Sequence, residues 1–165
     1  MNSCSEPLEF KAVTNGRLES INTSRGGVPK TSVFEALVTE HGIDGDRQRD
    51  LRFHGGPDRA VVLFSLDLIR ALQREGHPIA PGAIGENLTV SAIDWARLVP
   101  GAEVHVGEVH LRITKYTSPC EKIAGAFLAG DFTRVSQKVR AGWSRVSARV
   151  LAGGILRMGD PVTLG

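Results

Sequence analysis

Apolar and polar positions alternate most regularly in the second half of the chain. Val104, Val106, Val109, Leu111 and Ile113 share one face if Gly107-Glu108 forms a two-residue hairpin turn with glycine first. Glu103, His105, His110, Arg112 and Thr114 then fall on the other face, with the two histidines directly opposite one another. That face reads as a solvated outer surface, and zinc bound there would lack a third ligand. Upstream, Ala60 to Phe64 is a continuous apolar run that reads as a buried strand. Ser65 is placed to cap a helix running to about Glu75, with Leu66, Ile69 and Leu72 on one stripe and Leu68 beside them. Gly76 sits where a helix C-terminal glycine belongs.

Weaker patterns complete the chain. Residues 1–7 have little to pack and read as a disordered, frayed tail. Leu8 to Asn22 is broken by Asn15-Gly16 into a strand, a turn and a second strand. Residues 23–31 form a loop, Val33 to Thr39 a strand, and residues 41–59 a long charged loop of the kind that carries function. A short strand is expected at Asn87 to Val90. Short helices are expected at Cys120 to Phe127 and Phe132 to Val139, and closing strands at Trp143 to Leu151 and Asp160 to Leu164. No repeat, linker or composition shift divides residues 8–165, which read as one β-rich domain.

Composition sharpens this picture in three ways. Glycine supplies 19 of 165 residues without a repeat, which favours many turns and hence β structure. The net charge of +2 is too small for a general nucleic-acid binder, yet 15 of the 20 basic residues are arginine, the side chain suited to bidentate anion contacts. No apolar stretch approaches the roughly 18 residues of a membrane helix, and no signal peptide is evident at the start. With only two cysteines there is no disulfide framework, so a cytoplasmic protein is expected.

Two places carry candidate chemistry. Cys120 follows Pro119 at a junction between a strand and a helix, where a helix N-terminus and Lys122 favour thiolate while Glu121 opposes it. The same residue equally suits a small buried hydrophobe. Cys4, in the tail, reads as a bystander. The second place is residues 45–59, where Gly55-Gly56 and nearby arginines could hold an anion. Four arginines and four aspartates between 44 and 59 also suit a solvated loop laced with ion pairs. His54 is either a proton carrier or structural. No phosphate-loop, dinucleotide or nucleophile-elbow signature is present.

Taken in order, several stretches resemble the MOSC domain, named for the C-terminal part of molybdenum-cofactor sulfurases. They are Gly45-Asp46-Arg47-Gln48, His54 to Val61, Gly85-Glu86-Asn87-Leu88-Thr89, Ser118-Pro119-Cys120, Gly142-Trp143 and Gly159-Asp160-Pro161-Val162. They span about residues 20–164, and Ile21-Asn22 with Gly26 to Lys30 resemble a bacterial subgroup of short, stand-alone members. The resemblance implies a mainly β fold, a closed or nearly closed β-barrel with a few short helices. It implies that Cys120 is the working residue, either ligating molybdenum of a pterin cofactor or carrying a persulfide sulfur.

It further implies a cofactor site shared among Lys30, Arg47, Arg52, His54, Gly55, Gly56 and Asn87, with Ser118 and Lys122 flanking the cysteine. The implied activity is reductive removal of oxygen from N-hydroxylated small molecules such as hydroxylaminopurines. The implied alternative is a non-enzymatic carrier of sulfur or cofactor to a molybdoenzyme. The chain has no aminotransferase half, so no pyridoxal phosphate is expected. It has no flavin or iron–sulfur module either, so electrons are expected from a separate reductase.

Overall fold

A computed structural model of the protein describes residues 15–47 and 56–165. Eleven strands occur among them. In chain order these are β1 (Gly16–Thr23), β2 (Thr31–Val33), β3 (Glu35–Thr39), β4 (Gly42–Ile43), β5 (Val61–Ser65), β6 (Leu88–Ser91), β7 (Glu103–Val106), β8 (Val109–Tyr116), β9 (Val146–Ala152), β10 (Gly154–Arg157) and β11 (Pro161–Leu164). One α-helix, α1 (Leu66–Arg74), joins β5 to β6. Short 3-10 turns fill the longer connections, chiefly Glu121–Ala126 and Phe132–Val135.

Seven strands close a barrel in the order β11-β7-β8-β9-β5-β6-β1, and pairing of β1 with β11 completes the ring. Two residue pairs make that seam, Gly16 with Val162 and Arg17 with Pro161. Farther along, β1 releases β11 and pairs with β2 instead, from Ile21 to Thr23. Every pairing in the ring is antiparallel except β5 with β6, the parallel pair that needs the α1 crossover. A second sheet of three strands, β10-β3-β4, packs Ala36, Val38, Ile43 and Leu156 into the same core.

The barrel interior holds the alternating residues of the hairpin, all five of which are fully buried, together with Leu18, Leu63, Val90 and Val146. β5 is apolar on both faces because it has a core on each side. Val61 and Leu63 enter the barrel, while Phe64 joins an outer cluster with Leu66, Ile69 and Leu72 of α1 and with Ile84, Ile123 and Phe127. This outer cluster, laid against one wall of the barrel, creates the seam in which the candidate site lies.

The helix begins as expected, with the Ser65 hydroxyl accepting from Leu68 N at 3.1 Å. Gly76 takes a positive φ of 100° just beyond its end. The Gly107 turn also forms, and it stacks His105 on His110 with ring centroids 4.1 Å apart, while His110 pairs with Glu103. On that outer face His105 and Arg112 are exposed and Glu103 pairs with His110 and Arg112, and among the described residues no group of three or more histidine, cysteine and carboxylate side chains is placed to hold a metal ion. No helix among them is long and apolar enough to cross a membrane.

The remaining differences are local. The strand expected over 33–39 is two strands in different sheets, parted at Phe34, because the chain leaves the barrel edge there to join β10. The helices expected near 120 and 132 are 3-10 turns of six and four residues. β10 is an element the pattern gave no sign of. The tail at 1–7, the strand before Asn15 and most of the 41–59 loop's charged centre lie outside the described residues.

Candidate functional site

A cavity of about 250 Å³ opens where the outer cluster meets the barrel wall. Six segments supply its lining. The loop after β1 gives Gly27, Val28 and Lys30, β5 gives Val62, and the stretch before β6 gives Ile84 and Gly85. The segment that leaves β8 gives Thr117, Ser118, Cys120, Lys122 and Ile123. Arg145, just ahead of β9, and Arg47 complete it. Val28, Val62, Ile84 and Ile123 make one part apolar, while Lys30, Arg47, Lys122 and Arg145 make the other cationic.

Cys120 is exposed and free, and its sulfur makes no capping hydrogen bond. Its extended backbone (φ −145°, ψ 174°) places it immediately before the 3-10 turn Glu121–Ala126. Six residues of 3-10 helix align too few peptide dipoles to replace the helix N-terminus expected there. Cationic side chains line the same cavity, among them Arg145 and Lys122.

Arg145 is the residue that the sequence did not disclose. It is only 6% exposed, and its Nη1 and Nη2 donate to Ile84 O at 2.7 Å and Ser118 O at 3.3 Å. It therefore ties the segment before Cys120 to the opposite side of the cavity. Burial draws its pKa down to about 10, against the opposing pull of Glu86 and Cys120. Glu86 is completely buried, and burial pushes its carboxyl up. One oxygen of Glu86 accepts from Gly82 N and the Thr89 hydroxyl, while the other has no partner among the described residues.

Lys30 lines the cavity, but its charge is already matched. Its Nζ lies 2.5 Å from Asp46 Oδ1, both side chains being nearly enclosed. Asp46 also accepts from Ser24 N at 2.9 Å and from Asn87 Nδ2 at 2.9 Å. Asn87 is thus a strut rather than a cavity wall. Its Oδ1 accepts from Val62 N, and its amide donates to Asp46 and to Asn22 O, which uses both amide hydrogens. Asn87, anticipated as part of the cofactor site, is buried and does not line the cavity.

Arg47, Ser118 and Lys122, also anticipated, do line the cavity and are exposed. Gly56 does not: it is exposed at the start of the 3-10 turn Pro57–Arg59, which packs on β8 and β9 through Thr114 and Arg149. Arg52, His54 and Gly55 lie outside the described residues. A signal for Arg145 existed in principle, since it directly follows Gly142-Trp143-Ser144. Nothing in the alternation of β9, however, marks an arginine there as buried.

The model of the MOSC domain family matches residues 50–163. The chain belongs to the MOSC domain family. Among relatives, Protein YiiM of Escherichia coli is 29% identical over 114 residues, 66% of this chain and 51% of that protein. The uncharacterized protein YflK of Bacillus subtilis is 28% identical over 140 residues, 84% of this chain and 62% of its own length. The chain thus spans between half and two thirds of the curated relatives it matches. Among solved structures, YiiM from Geobacillus stearothermophilus superposes with a TM-score of 0.69 at 22% identity, covering 91% of this chain and 75% of that one. The YUAD protein of Bacillus subtilis gives 0.70 at 18% identity, covering 90% and 94%. At such identities these two speak to the fold alone, a MOSC-type β-barrel.

Proposed function

We propose that this MOSC protein binds a molybdenum–pterin cofactor, with Cys120 as the protein ligand to the metal. In this reading it reduces N-hydroxylated small molecules with electrons from a separate reductase. The observation that carries the reading is the placement of Cys120, an exposed thiol on the wall of a cavity whose charged side chains among the described residues are Lys30, Arg47, Lys122 and Arg145. A soft thiolate suits molybdenum, and guanidinium and ammonium groups suit a pterin's phosphate. The apolar walls suit the faces of a flat heterocycle. At about 250 Å³ the cavity is slightly below the roughly 300–1,000 Å³ usual for ligand sites.

When bound, the group supplies two-electron oxygen-atom chemistry, which for an N-hydroxyl consumes two protons and releases water. The chain's own residues hold and orient. Arg145 fixes the Ser118 segment and with it the origin of Cys120. The Lys30–Asp46 pair braces the neighbouring wall, and Arg47 and Lys122 are exposed cations on the cavity. The family relationship adds the working cysteine of Ser118-Pro119-Cys120.

The deciding experiment is elemental analysis with pterin detection on protein from a molybdate-fed host, wild type beside Cys120→Ser. The expected result is about one molybdenum per wild-type chain and loss of metal and of hydroxylamine reduction in the variant. Full metal and full activity in Cys120→Ser would remove the proposal. The exposure of the same sulfur favours one other reading, a carrier that hands sulfur or cofactor to a molybdoenzyme. That reading requires a persulfide on Cys120 by mass spectrometry, or cofactor released to an acceptor, with no turnover under any reductant.

A further inference from the structure

The segment that carries Cys120 is fastened at both ends by side chains. At its start Arg145 Nη2 donates to Ser118 O at 3.3 Å, and at its far end Leu128 N donates to His77 Nδ1 at 3.0 Å. His77 lies just beyond α1, is only 8% exposed, and meets Phe127 edge to face with ring centroids 5.5 Å apart. A ring nitrogen accepts a hydrogen bond only while it carries no proton, so this imidazole is neutral with its hydrogen on Nε2. Nε2 in turn stands 3.6 Å from Glu75 Oε1.

Acid removes the acceptor. An imidazolium donates from both nitrogens, so Nδ1–H and Leu128 N–H would face each other as two donors beside the outer cluster. Two carboxylates face the ring, Glu75 at the end of α1 and Asp131 in the turn after Leu128. Both are already engaged. Glu75 accepts from Arg140 and Arg134, while Asp131 accepts from Thr133 N and the Thr133 hydroxyl and feels the charge of Arg134. A charged His77 would be a third cation beside Arg134 and Arg140, shared between two carboxylates. The Leu128 side chain is half exposed and adds little hold of its own.

We infer that His77 is an acid-released latch: the neutral ring holds the Leu128 end of the segment that carries Cys120, and the protonated ring lets it go. Cys120, Lys122 and Ile123 of this segment line the cavity, so one cavity wall is tethered through a titrating group. Ile123, Ala126 and Phe127, buried in the outer cluster, keep the segment attached while its Leu128 end opens. The closed form binds one proton fewer than the open form, so falling pH favours opening, within the range of about pH 8 to 5 where imidazoles titrate. The latch requires no ligand in the cavity, so it and the molybdenum reading fail separately.

The test follows amide hydrogen exchange in the full-length protein by NMR at about pH 7.5 and about pH 5.5, corrected for the intrinsic pH dependence of exchange. Ile113 N, which donates to Ala102 O at 2.8 Å in the barrel wall, reports on the rest of the fold. On acidification, protection at Leu128 N should fall at least about tenfold more than at Ile113 N, the scale of losing one enclosed hydrogen bond. His77→Asn sets an amide oxygen near the place of Nδ1 and does not titrate, and His77→Phe removes the acceptor altogether. In either variant the selective fall should vanish while the other histidines titrate as before. Equal falls at the two amides in wild type, or a selective fall that persists in a His77 variant, overturn the inference. Should neither variant fold, wild type decides: the midpoint of the fall must match the titration of the His77 ring read from its own resonances, and a mismatch overturns the latch.

Discussion

Lys30 and Asp46 are a pair whose two charges are both enclosed, and removing either strands the other. Their contact at 2.5 Å is reinforced by Ser24 N and Asn87 Nδ2 on the carboxylate. Lys30→Met leaves Asp46 buried without its cation and is expected to cost about 3–5 kcal/mol, read from the urea midpoint. Arg47→Met and Lys122→Met, at exposed positions, are expected to stay within about 0.5 kcal/mol of wild type. The contrast separates a wall of the cavity from its mouth, and it tracks what could be read from the chain. Cys120 was legible because Pro119 and the charged neighbours mark it chemically. Lys30 was legible as a cation but not as a partner of Asp46, which lies 16 positions away. The enclosure of Arg145 and the bracing contacts of Asn87 were not legible for one reason: both follow from segments distant in sequence, which alternation does not encode.

Elements around the site are held by a second charged cluster, at the end of α1. Glu75, just past the helix, accepts from Arg140 at 2.8 and 3.2 Å and from Arg134 at 3.2 Å, and the Arg140 guanidinium lies 3.6 Å above the centre of the Trp143 ring. The hydrogen bond from Arg140, with lesser help from Arg134, holds the Glu75 carboxyl at about 2, below its ordinary 4.5, against the opposing effect of burial. A carboxylate depressed on folding stabilises at pH values above its unfolded value, and that contribution fades as pH falls through the folded one. The clamp is therefore complete above about pH 4.5 and lost progressively towards pH 2. Glu75→Gln should flatten this part of the stability–pH curve, measured by thermal melts from pH 6 to pH 2.5. An equally steep acid limb in the variant would contradict the assignment. Long, strongly patterned elements such as α1 and the β7–β8 hairpin were readable because each exposes one face to the core. The 3-10 turns, β4 and β10 were not, since two to six residues show no period and take their shape from the elements they touch.

Closure of the barrel is the property of the whole molecule that local pattern reveals least. Asn15-Gly16 reads as a turn, yet β1 begins at Gly16, which pairs with Val162 at the seam. Glycine is required there by crowding: a Cβ would stand 2.5 Å from Ser91 O and closer still to the Ile93 side chain. The seam is also short, two residue pairs supplemented by Leu18 N to Asp160 O and Gly159 N to Leu18 O, both 2.8 Å. Gly16→Val therefore forces the barrel open at its narrowest joint, with an expected cost of about 1–3 kcal/mol from overpacking. None of the seam residues lines the cavity, which lies between the barrel wall and the outer cluster. Protection of Leu128 N at neutral pH, next to Phe127 of that cluster, should consequently survive in Gly16→Val at temperatures where the variant remains folded, measured by the same hydrogen-exchange experiment. Loss of protection in a folded Gly16→Val protein would mean that barrel closure and the site form one cooperative unit, and that the cavity cannot be treated as a pocket laid on an independent scaffold.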